Sequence, residues 1–500
     1  MKLNDPFGRL ERRHQIAYQA VRDSLQRSGV VTEEAAQQVI KATRQRAVLV
    51  IGAAAVIALS AKLIIPGAFM IVGAFCLLLS AWVMSWTING KRYVTRYIEE
   101  DLRDLQDRSV ALIMNRHRKT SEAIPSLSEE RSRRVIQYHE TIPGYERTPL
   151  VPLDGLAREL GLRKIFVKDE SHRFGLNAFK ALGVSWAIGN IVYEKLGLDD
   201  TALDYDELRS DQARELVSGL TFITATDGNH GRGLAWFADN LGARAVVLMP
   251  HGSVQARVDA IASHNADVTV IDKNYDDTVR EAHKRAEENG WITVQDTAWK
   301  GYEQIPEWIT QGYLTMAKEA LEQIRESGVP QPTHVFLQAG NGSMAAGVLG
   351  YFVNVCGADL PKVIVVEPDA ANCMFKSAGA GDGAPHAVGG SHDTMMAGLA
   401  CGEPNIEAWN ILRDHSWAFV SCSDNLSARG MTLLAKPLAG DEAIVSGESG
   451  AVGAGLIEYL MTNEAAEQMR NDLQLDENSV VLLFSTEGNT DPENYRRIVE

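Results

Sequence analysis

Two long apolar stretches lie near the start of the chain. Residues 47–61 carry no charge, Lys62 interrupts the pattern, and residues 68–88 are again free of charged side chains. A helix needs about 20 apolar residues to cross the hydrocarbon core of a bilayer, and the Pro66-Gly67 pair between the stretches is typical of a tight turn. The pattern predicts two membrane-spanning helices joined as a hairpin; a buried hairpin in a soluble protein is the alternative.

Basic residues flank the outer ends of both stretches, with Arg44 and Arg46 before the first and Lys91, Arg92 and Arg96 after the second. Because Lys and Arg are enriched on the cytoplasmic side of membrane proteins, both ends of the hairpin are expected in the cytoplasm. A cleavable signal peptide is not expected, since the apolar run begins too far from the terminus. The predicted location is therefore the inner (cytoplasmic) membrane, with the rest of the chain on its cytoplasmic side.

The segment after the hairpin shows a helical pattern. Its apolar positions Ile98, Leu102, Leu105, Leu112 and Ile113 fall near one face of a charged helix. We expect a connector helix here, followed by a linker that is rich in basic and polar residues and ends near residue 134.

Beyond the linker, short apolar runs alternate with helical stretches. The runs predict strands at residues 164–167, 220–224, 245–249, 268–271, 335–338, 363–366 and 480–485. This alternation is typical of an α/β fold, in which parallel sheets are covered by helices.

The net charge of −16 over 500 residues hides an asymmetry. Residues 1–120 hold 18 Lys and Arg against 10 Asp and Glu, a balance of +8, whereas the remaining residues have a balance of −24. The basic part is thus the candidate for an anionic surface, and nucleic-acid binding is not expected. The five cysteines include no C-x-x-C pair, which disfavours a disulfide framework or a zinc site, and we expect no metal.

Candidate chemistry lies in three segments that connect a predicted strand to a helix. Residues 168–183 place Lys180 at a helix start, where partial burial would lower its pKa and let it act as a nucleophile or base. Residues 224–233 and 338–347 are glycine-rich, and such turns let backbone amides approach a phosphate. Each turn alone also occurs for packing reasons.

Together with five further segments, these turns resemble the fold-type II pyridoxal-phosphate enzymes, and most closely the diaminopropionate ammonia-lyase family. The segments follow the family's order across residues 121–500: KDESHRFGLNAFKALG, TATDGNHGRG, NYDDTVREA, VQDTAW, QAGNGSMAAG, MAGLACGEP, SGESGAVGAG and STEGNTDP. The resemblance implies pyridoxal 5'-phosphate as cofactor, two α/β domains with the cofactor between them, and a homodimer. Members of the family are soluble, so the apolar hairpin departs from its pattern.

The predicted fold class is therefore α/β, a fold-type II enzyme with two parallel-sheet domains preceded by an all-helical transmembrane hairpin. The predicted domains are a cytoplasmic helical segment (1–46), the hairpin (47–90, with the membrane contacted by 47–88), the connector and linker (91–134), and the catalytic region (135–500).

The resemblance also assigns the cofactor-binding residues. Lys180 matches the lysine that forms a Schiff base with the cofactor, and Asn229 matches the residue that hydrogen-bonds its phenolic oxygen. Ser485, or alternatively Thr486, would face the pyridine nitrogen. The phosphate-binding loop corresponds to Gly340, Asn341, Gly342, Ser343 and Met344, although an apolar residue is expected in relatives where this chain has Asn341.

Catalytic roles are implied for Lys180, Asp227 and Asp296. A carboxylate at Asp227, opposite Lys180, would act as a second base, so that both isomers of the substrate could react; Asp296 would position the substrate's side-chain amine. The implied reaction is α,β-elimination of D- and L-2,3-diaminopropionate to pyruvate and two ammonia. The alternatives are a serine or threonine dehydratase, in which a small apolar residue replaces Asp227, and a membrane-anchored amino-acid-binding protein without turnover.

Overall fold

The computed structural model describes residues 17–18, 20–22, 24–25, 33–64, 67, 69–98, 110–119, 122–200 and 203–500. The predictions for most of residues 1–32, for Pro66, and for Leu102 and Leu105 of the connector lie outside the described residues. The chain divides into two compact units, residues 1–109 and residues 110–500.

The first unit contains two long helices, α1 (Glu33–Ile64) and α2 (Phe69–Tyr97). They lie side by side and antiparallel, because Ala36 near the start of α1 packs with Val94 and Tyr97 near the end of α2. Large apolar side chains along both helices are exposed. Residues 36–61 and 70–97 are long and apolar enough to cross a membrane by length and composition. The two long helices match the predicted hairpin, while insertion into a membrane stays a prediction.

The second unit contains sixteen labelled helices and eleven strands among its described residues. Its helices are α3 (Glu129–Thr141), α4 (Asp154–Glu159), α5 (Ala181–Leu196), α6 (Asp211–Ser218), α7 (Asn229–Leu241), α8 (Gln255–Ala262), α9 (Tyr275–Asn289), α10 (Gln304–Gly312), α11 (Leu314–Glu326), α12 (Ser343–Cys356), α13 (Cys373–Ala380), α14 (Ile406–His415), α15 (Asp424–Ala435), α16 (Glu448–Thr462), α17 (Glu467–Leu473) and α18 (Pro492–Val499). Its strands are β1 (Val110–Met114), β2 (Leu150–Pro152), β3 (Lys164–Asp169), β4 (Thr221–Ala225), β5 (Arg244–Met249), β6 (Asp267–Val270), β7 (Ile292–Thr293), β8 (His334–Gln338), β9 (Lys362–Pro368), β10 (Ala418–Cys422) and β11 (Val480–Ser485).

A seven-stranded sheet with the order β1-β10-β9-β8-β11-β3-β2 forms the larger subdomain. Its five inner strands are parallel, and the edge strands β1 and β2 are antiparallel to their neighbours. Both faces are covered, since Val335 and Leu337 of β8 belong to one buried cluster and Phe336 belongs to another. Strands buried on both faces read as continuous apolar runs, which is why these strands were predictable.

A second sheet with the order β6-β5-β4-β7 is parallel throughout. The structure thus confirms the predicted α/β fold with two parallel sheets. Every predicted strand is present, with ends that differ by one or two residues. The short strands β1, β2, β7 and β10 were not predicted.

The connector prediction is wrong for residues 110–114. These residues form β1 and pair with β10, so that Leu112 lies opposite Val420 and Ile113 opposite Phe419. The second compact unit accordingly begins at Val110, and α3 runs across the boundary expected near residue 134. The local pattern of apolar residues suited a helix, but pairing with a strand some 300 residues away cannot be read from it.

Candidate active site

The three segments that the sequence singled out meet at the carboxyl ends of the parallel strands. Lys180 precedes α5, Asn229 opens α7 after β4, and residues 340–344 connect β8 to α12. Lys180, Asn229, Asp296 and this loop line one cavity. Ligands of parallel α/β folds bind at this edge of the sheet.

Lys180 and Asp296 form a close ion pair at the centre of the cavity. Lys180 Nζ lies 2.6 Å from Asp296 Oδ2, and both side chains are largely buried. Burial lowers the pKa of Lys180, but the Asp296 carboxylate outweighs this and holds that pKa above its ordinary value. The prediction of a lowered pKa is therefore wrong for the cofactor-free site, because the sequence did not show the carboxylate beside the amine. Burial conversely raises the pKa of Asp296, and the Lys180 ammonium outweighs it, so the carboxyl stays ionised.

Side chains of the loop hold Asp296 in place. Asn341 Nδ2 donates to Asp296 Oδ1 at 2.9 Å, and Ser343 Oγ donates to the Asp296 carbonyl at 2.5 Å. Asn405 Nδ2 donates to Ser343 Oγ at 2.8 Å. Asn341, which departs from the residue expected in relatives, therefore connects the loop to the carboxylate beside Lys180.

The glycines of the loop are required by close contacts. A Cβ on Gly340 would lie 3.0 Å from Cys401 Sγ, and a Cβ on Gly342 would lie 2.5 Å from Met374 Cε. Gly342 also has a φ of +96°, which L side chains rarely adopt. The loop leads into the first turn of α12, where backbone amides and the helix dipole attract an anion. The first of these amides, Ser343 N–H, donates to Asn341 Oδ1 at 3.1 Å.

Asn229 is held by a residue that the sequence analysis missed, Glu487. Asn229 Nδ2 donates to Glu487 Oε2, and Ser449 N–H donates to Glu487 Oε1 at 3.1 Å. Glu487 is buried, with 2% of its surface exposed, and lines the same cavity. Its position two residues after β11, inside the STEGNTDP segment, was the available signal.

Asp227 is not among the residues that line the Lys180 cavity. It lines a second cavity, of about 550 Å³, together with Arg257, Tyr275 and Glu448. Burial raises the pKa of Asp227, and the cations Lys180 and Arg257 partly offset this. Asp227 therefore lies close enough to Lys180 for the ammonium charge to affect its pKa. Its side chain is half-buried in the wall of the second cavity.

Two residues at the end of β11, Ser485 and Thr486, are candidates to face the pyridine nitrogen. Thr486 lines the cavity, and Ser485 is not among its lining residues. Ser485 Oγ donates to Ser446 Oγ at 2.9 Å and is fully buried. Gln338 Nε2 donates to Thr486 Oγ1 at 3.0 Å. Thr486, the alternative considered for the pyridine nitrogen, is thus the hydroxyl that faces the site.

Comparisons with known proteins decide what this cavity belongs to. The family model for "pyridoxal-phosphate dependent enzyme" matches residues 141–486. The diaminopropionate ammonia-lyase of Salmonella typhimurium is 50% identical over 381 residues, which cover 76% of this chain and 94% of that protein. The chain belongs to the diaminopropionate ammonia-lyase family. Pyridoxal phosphate is the cofactor of this family.

A solved structure of the Escherichia coli diaminopropionate ammonia-lyase, in complex with an aminoacrylate-PLP azomethine reaction intermediate, is 47% identical, with a TM-score of 0.72. The match covers 78% of this chain and 96% of that one. The L-threonine dehydratase of Pasteurella multocida is 27% identical over 234 residues, covering 47% of this chain and 38% of that protein. The comparisons therefore favour the lyase family over the dehydratases.

The residues present fit pyridoxal phosphate. The cavity has a buried primary amine at Lys180. A Cβ added at Gly340 or Gly342 of its glycine-rich loop would make close contacts with neighbouring residues. Asn229 and Thr486 are neutral polar residues that line the same cavity. A phosphorylated aldehyde needs this combination of an amine, an anion-binding loop and polar contacts to the ring.

Proposed function

We propose that this chain catalyses the α,β-elimination of D- and L-2,3-diaminopropionate, releasing pyruvate and two ammonia for each water consumed. The observation that carries the proposal is the buried Lys180 amine, which shares one cavity with Asp296 and the glycine loop in a chain of this family. The hairpin does not alter the proposal, because the matched residues lie in the second compact unit.

The cofactor would be held by residues 340–344 at its phosphate, by Asn229 and Thr486 at its ring, and by Lys180 through a covalent bond at rest. When bound, pyridoxal phosphate supplies a ring that stabilises negative charge at the substrate's Cα. The side chains of Asn341 and Ser343 bond to Asp296, so their contribution to the phosphate would be through the backbone. Ser343 N–H donates to Asn341 Oδ1 at 3.1 Å and would have to leave that contact to reach the phosphate.

Lys180 would remove the Cα proton from the L isomer once the substrate amine has displaced it. Its amine is positioned for this by the 2.6 Å contact with Asp296. Asp227 would remove the Cα proton of the D isomer from the opposite face. A base works only in its unprotonated form, so Asp227 must be ionised and the Lys180 amine must be neutral at that step.

The leaving β-amine needs a proton, because an amide ion is a poor leaving group. The base that has just taken the Cα proton can return it to this amine. Asp296 would attract the ammonium form of the substrate's side chain and hold it near Lys180; in that form the β-amine already carries the extra proton and leaves as ammonia. Serine and threonine have no charged side chain for Asp296 to attract.

The proposal is tested by measuring pyruvate release from D- and L-diaminopropionate with detergent-purified full-length protein and added cofactor. Serine and threonine serve as comparison substrates, and Lys180→Ala serves as the inactive control. We expect turnover of both diaminopropionate isomers at rates well above those for the comparison substrates. Faster turnover of serine or threonine would instead support a dehydratase, and cofactor binding without any pyruvate would support the binding protein.

We also propose that the hairpin spans the cytoplasmic membrane and places the catalytic unit on its inner face. The exposed apolar side chains of α1 and α2 and the basic residues at their outer ends support this. Alkaline carbonate washing of membranes should leave the full chain in the pellet and release a variant that lacks residues 1–109. Release of the full chain would contradict insertion.

A homodimer is proposed from the family resemblance alone. Light scattering coupled to size exclusion, applied to the variant that starts at residue 110, should give twice the mass of that chain; the mass of one chain would contradict it.

A further inference from the structure

The role of Arg257 is not explained by the reaction above, although its side chain is 8% exposed in the wall of the larger cavity. Its Nη2 donates to Thr490 Oγ1 at 3.3 Å and lies 3.8 Å from Glu448 Oε2. Its Nε has no hydrogen-bond partner among the described residues. Burying a guanidinium with so few contacts costs stability, so packing alone does not account for this residue.

Arg257 lies directly against the turn that carries Asp227. A Cβ added to Gly228 would lie 2.9 Å from Arg257 Cδ, so the aliphatic part of the side chain packs on the backbone next to Asp227. Both residues line the same cavity. Arg257 comes from α8 of the small-sheet subdomain, whereas Glu448 and Thr490 come from the other subdomain.

We propose that Arg257 is a positioning residue that keeps Asp227 ionised, so that Asp227 can take the Cα proton of the D isomer. This inference rests on the proposed role of Asp227 in the reaction. The guanidinium would act on the Asp227 carboxylate through its positive charge, without touching the reacting atoms.

The charges around Asp227 support this assignment. Burial raises the pKa of Asp227, Lys180 and Arg257 lower it, and Glu487 raises it. At the proton-removal step Lys180 has been displaced by the substrate amine and must be neutral, which leaves Arg257 as the cation that lowers the pKa of Asp227. Tyr275, Cys401, Glu448 and Asp491 share this electrostatic environment. The other titratable residues that line the same cavity are His251, His392, Asp393 and Asp424.

Those neighbours cannot replace Arg257. Burial raises the pKa of both Tyr275 and Cys401, so these groups are neutral near pH 7. Glu448 and Asp491 are carboxylates that face Arg257 itself. The two histidines of the cavity lie against other carboxylates, His251 against Asp272 at 3.3 Å and His392 against Asp276 at 3.8 Å. Removing the guanidinium would therefore take away the cation packed against the Asp227 turn, and the pKa of Asp227 would rise.

The test compares the pH dependence of kcat for the two isomers in Arg257→Gln. We expect the fall of kcat on the acid side of the profile, the acid limb, to shift to higher pH by about one unit for the D isomer. The acid limb for the L isomer should not change. Arg257→Lys, which keeps the charge, should restore most of the D-isomer profile. Arg244→Gln is the control. Arg244 lies at the start of β5, is exposed and forms an ion pair with Asp267.

A second readout needs neither cofactor nor turnover. A carboxyl whose folded-state pKa is raised above its unfolded value costs the fold little at low pH and destabilises it as the pH rises through that raised pKa. In cofactor-free protein, the loss of Tm in Arg257→Gln should therefore be larger at pH 8 than at pH 5. Adding Asp227→Asn to Arg257→Gln should narrow that difference.

Equal shifts of the acid limb for both isomers in Arg257→Gln would overturn the inference. A rise in KM for both isomers without any shift of the acid limb would also overturn it, because that result indicates that Arg257 binds the substrate carboxylate. If Asp227→Asn alone slows the D isomer selectively while Arg257→Gln moves neither limb, only the role of Arg257 fails. If Asp227→Asn slows both isomers equally, the proposed role of Asp227 fails and the inference falls with it.

Discussion

Asn229 donates from its amide nitrogen to the Glu487 carboxylate. This contact fixes the orientation of the Asn229 side-chain amide in the cavity. A carboxylate can only accept, so Nδ2 must point towards it. The second N–H of the same nitrogen is then available for the cavity. Glu487 is itself held by Ser449 N–H and by Thr490 Oγ1 at 3.2 Å.

Glu487→Gln should weaken the enzyme through Asn229. A glutamine can donate as well as accept, so the Asn229 amide is no longer held in one orientation. We expect about a tenfold loss in kcat/KM, the effect of one hydrogen bond, and a shifted absorbance maximum of the bound cofactor. Glu477→Gln, at an exposed turn residue, is the control. An unchanged spectrum together with full activity would contradict the role of Glu487.

Asp227→Asn should separate the two isomers. Loss of the carboxylate removes the base proposed for the D isomer and leaves Lys180 for the L isomer. We expect a reduction of at least about 100-fold for the D isomer, the size of effect typical of a general base, and a much smaller loss for the L isomer. Steady-state pyruvate release measures both, and equal losses would remove the two-base assignment.

Gly342→Ala should damage cofactor binding. The new Cβ would meet Met374 Cε at 2.5 Å and Leu412 Cδ1 at 3.2 Å in a backbone of positive φ, so either these side chains or the loop must shift. Gly301→Ala is a matched control, since Gly301 also has a positive φ, +93°, but has open space around its Cβ position. Both variants share the backbone strain, and only Gly342→Ala should lower cofactor affinity in a fluorescence titration. Equal affinities would show that the loop does not form the phosphate site.

Glu319→Gln should destabilise the fold away from the site. Glu319 accepts from Lys168 at 2.6 Å and from Arg173 at 2.8 Å, and all three side chains are fully buried. Burial would raise the pKa of Glu319, but the two cations outweigh it and hold that pKa below its ordinary value. Removing one partner of a buried ion network costs about 3 to 5 kcal/mol.

Denaturant unfolding of Glu319→Gln at pH 7 measures this loss, with Glu322→Gln as control because Glu322 lies one turn away and is more than one third exposed. Since the pKa of Glu319 is depressed, its contribution is present above the ordinary carboxyl range and is lost as the pH falls below it. The difference between Glu319→Gln and the unchanged protein should therefore shrink in acid. A difference in unfolding free energy that does not change with pH would show that Glu319→Gln acts through packing and not through the charge of Glu319.

The sequence predicted those parts of the fold and site that depend on local patterns. Continuous apolar runs located the buried parallel strands, and the glycine turns located Lys180, Asn229 and the loop at 340–344, which the structure brings to one cavity. Contacts made at long range were not predictable. The roles of Asn341 and Ser343 in holding Asp296, of Glu487 in holding Asn229, and of Arg257 beside Asp227 depend on side chains that meet only in the folded chain.

The pairing of β1 with β10 determines where the chain can be shortened. A variant cut at residue 134 would lose β1 and leave β10 as an open edge with free backbone N–H and C=O groups, which favours edge-to-edge aggregation. A variant that starts at Val110 keeps the edge covered. A soluble form of the catalytic unit must therefore retain the short strand that directly follows the N-terminal unit.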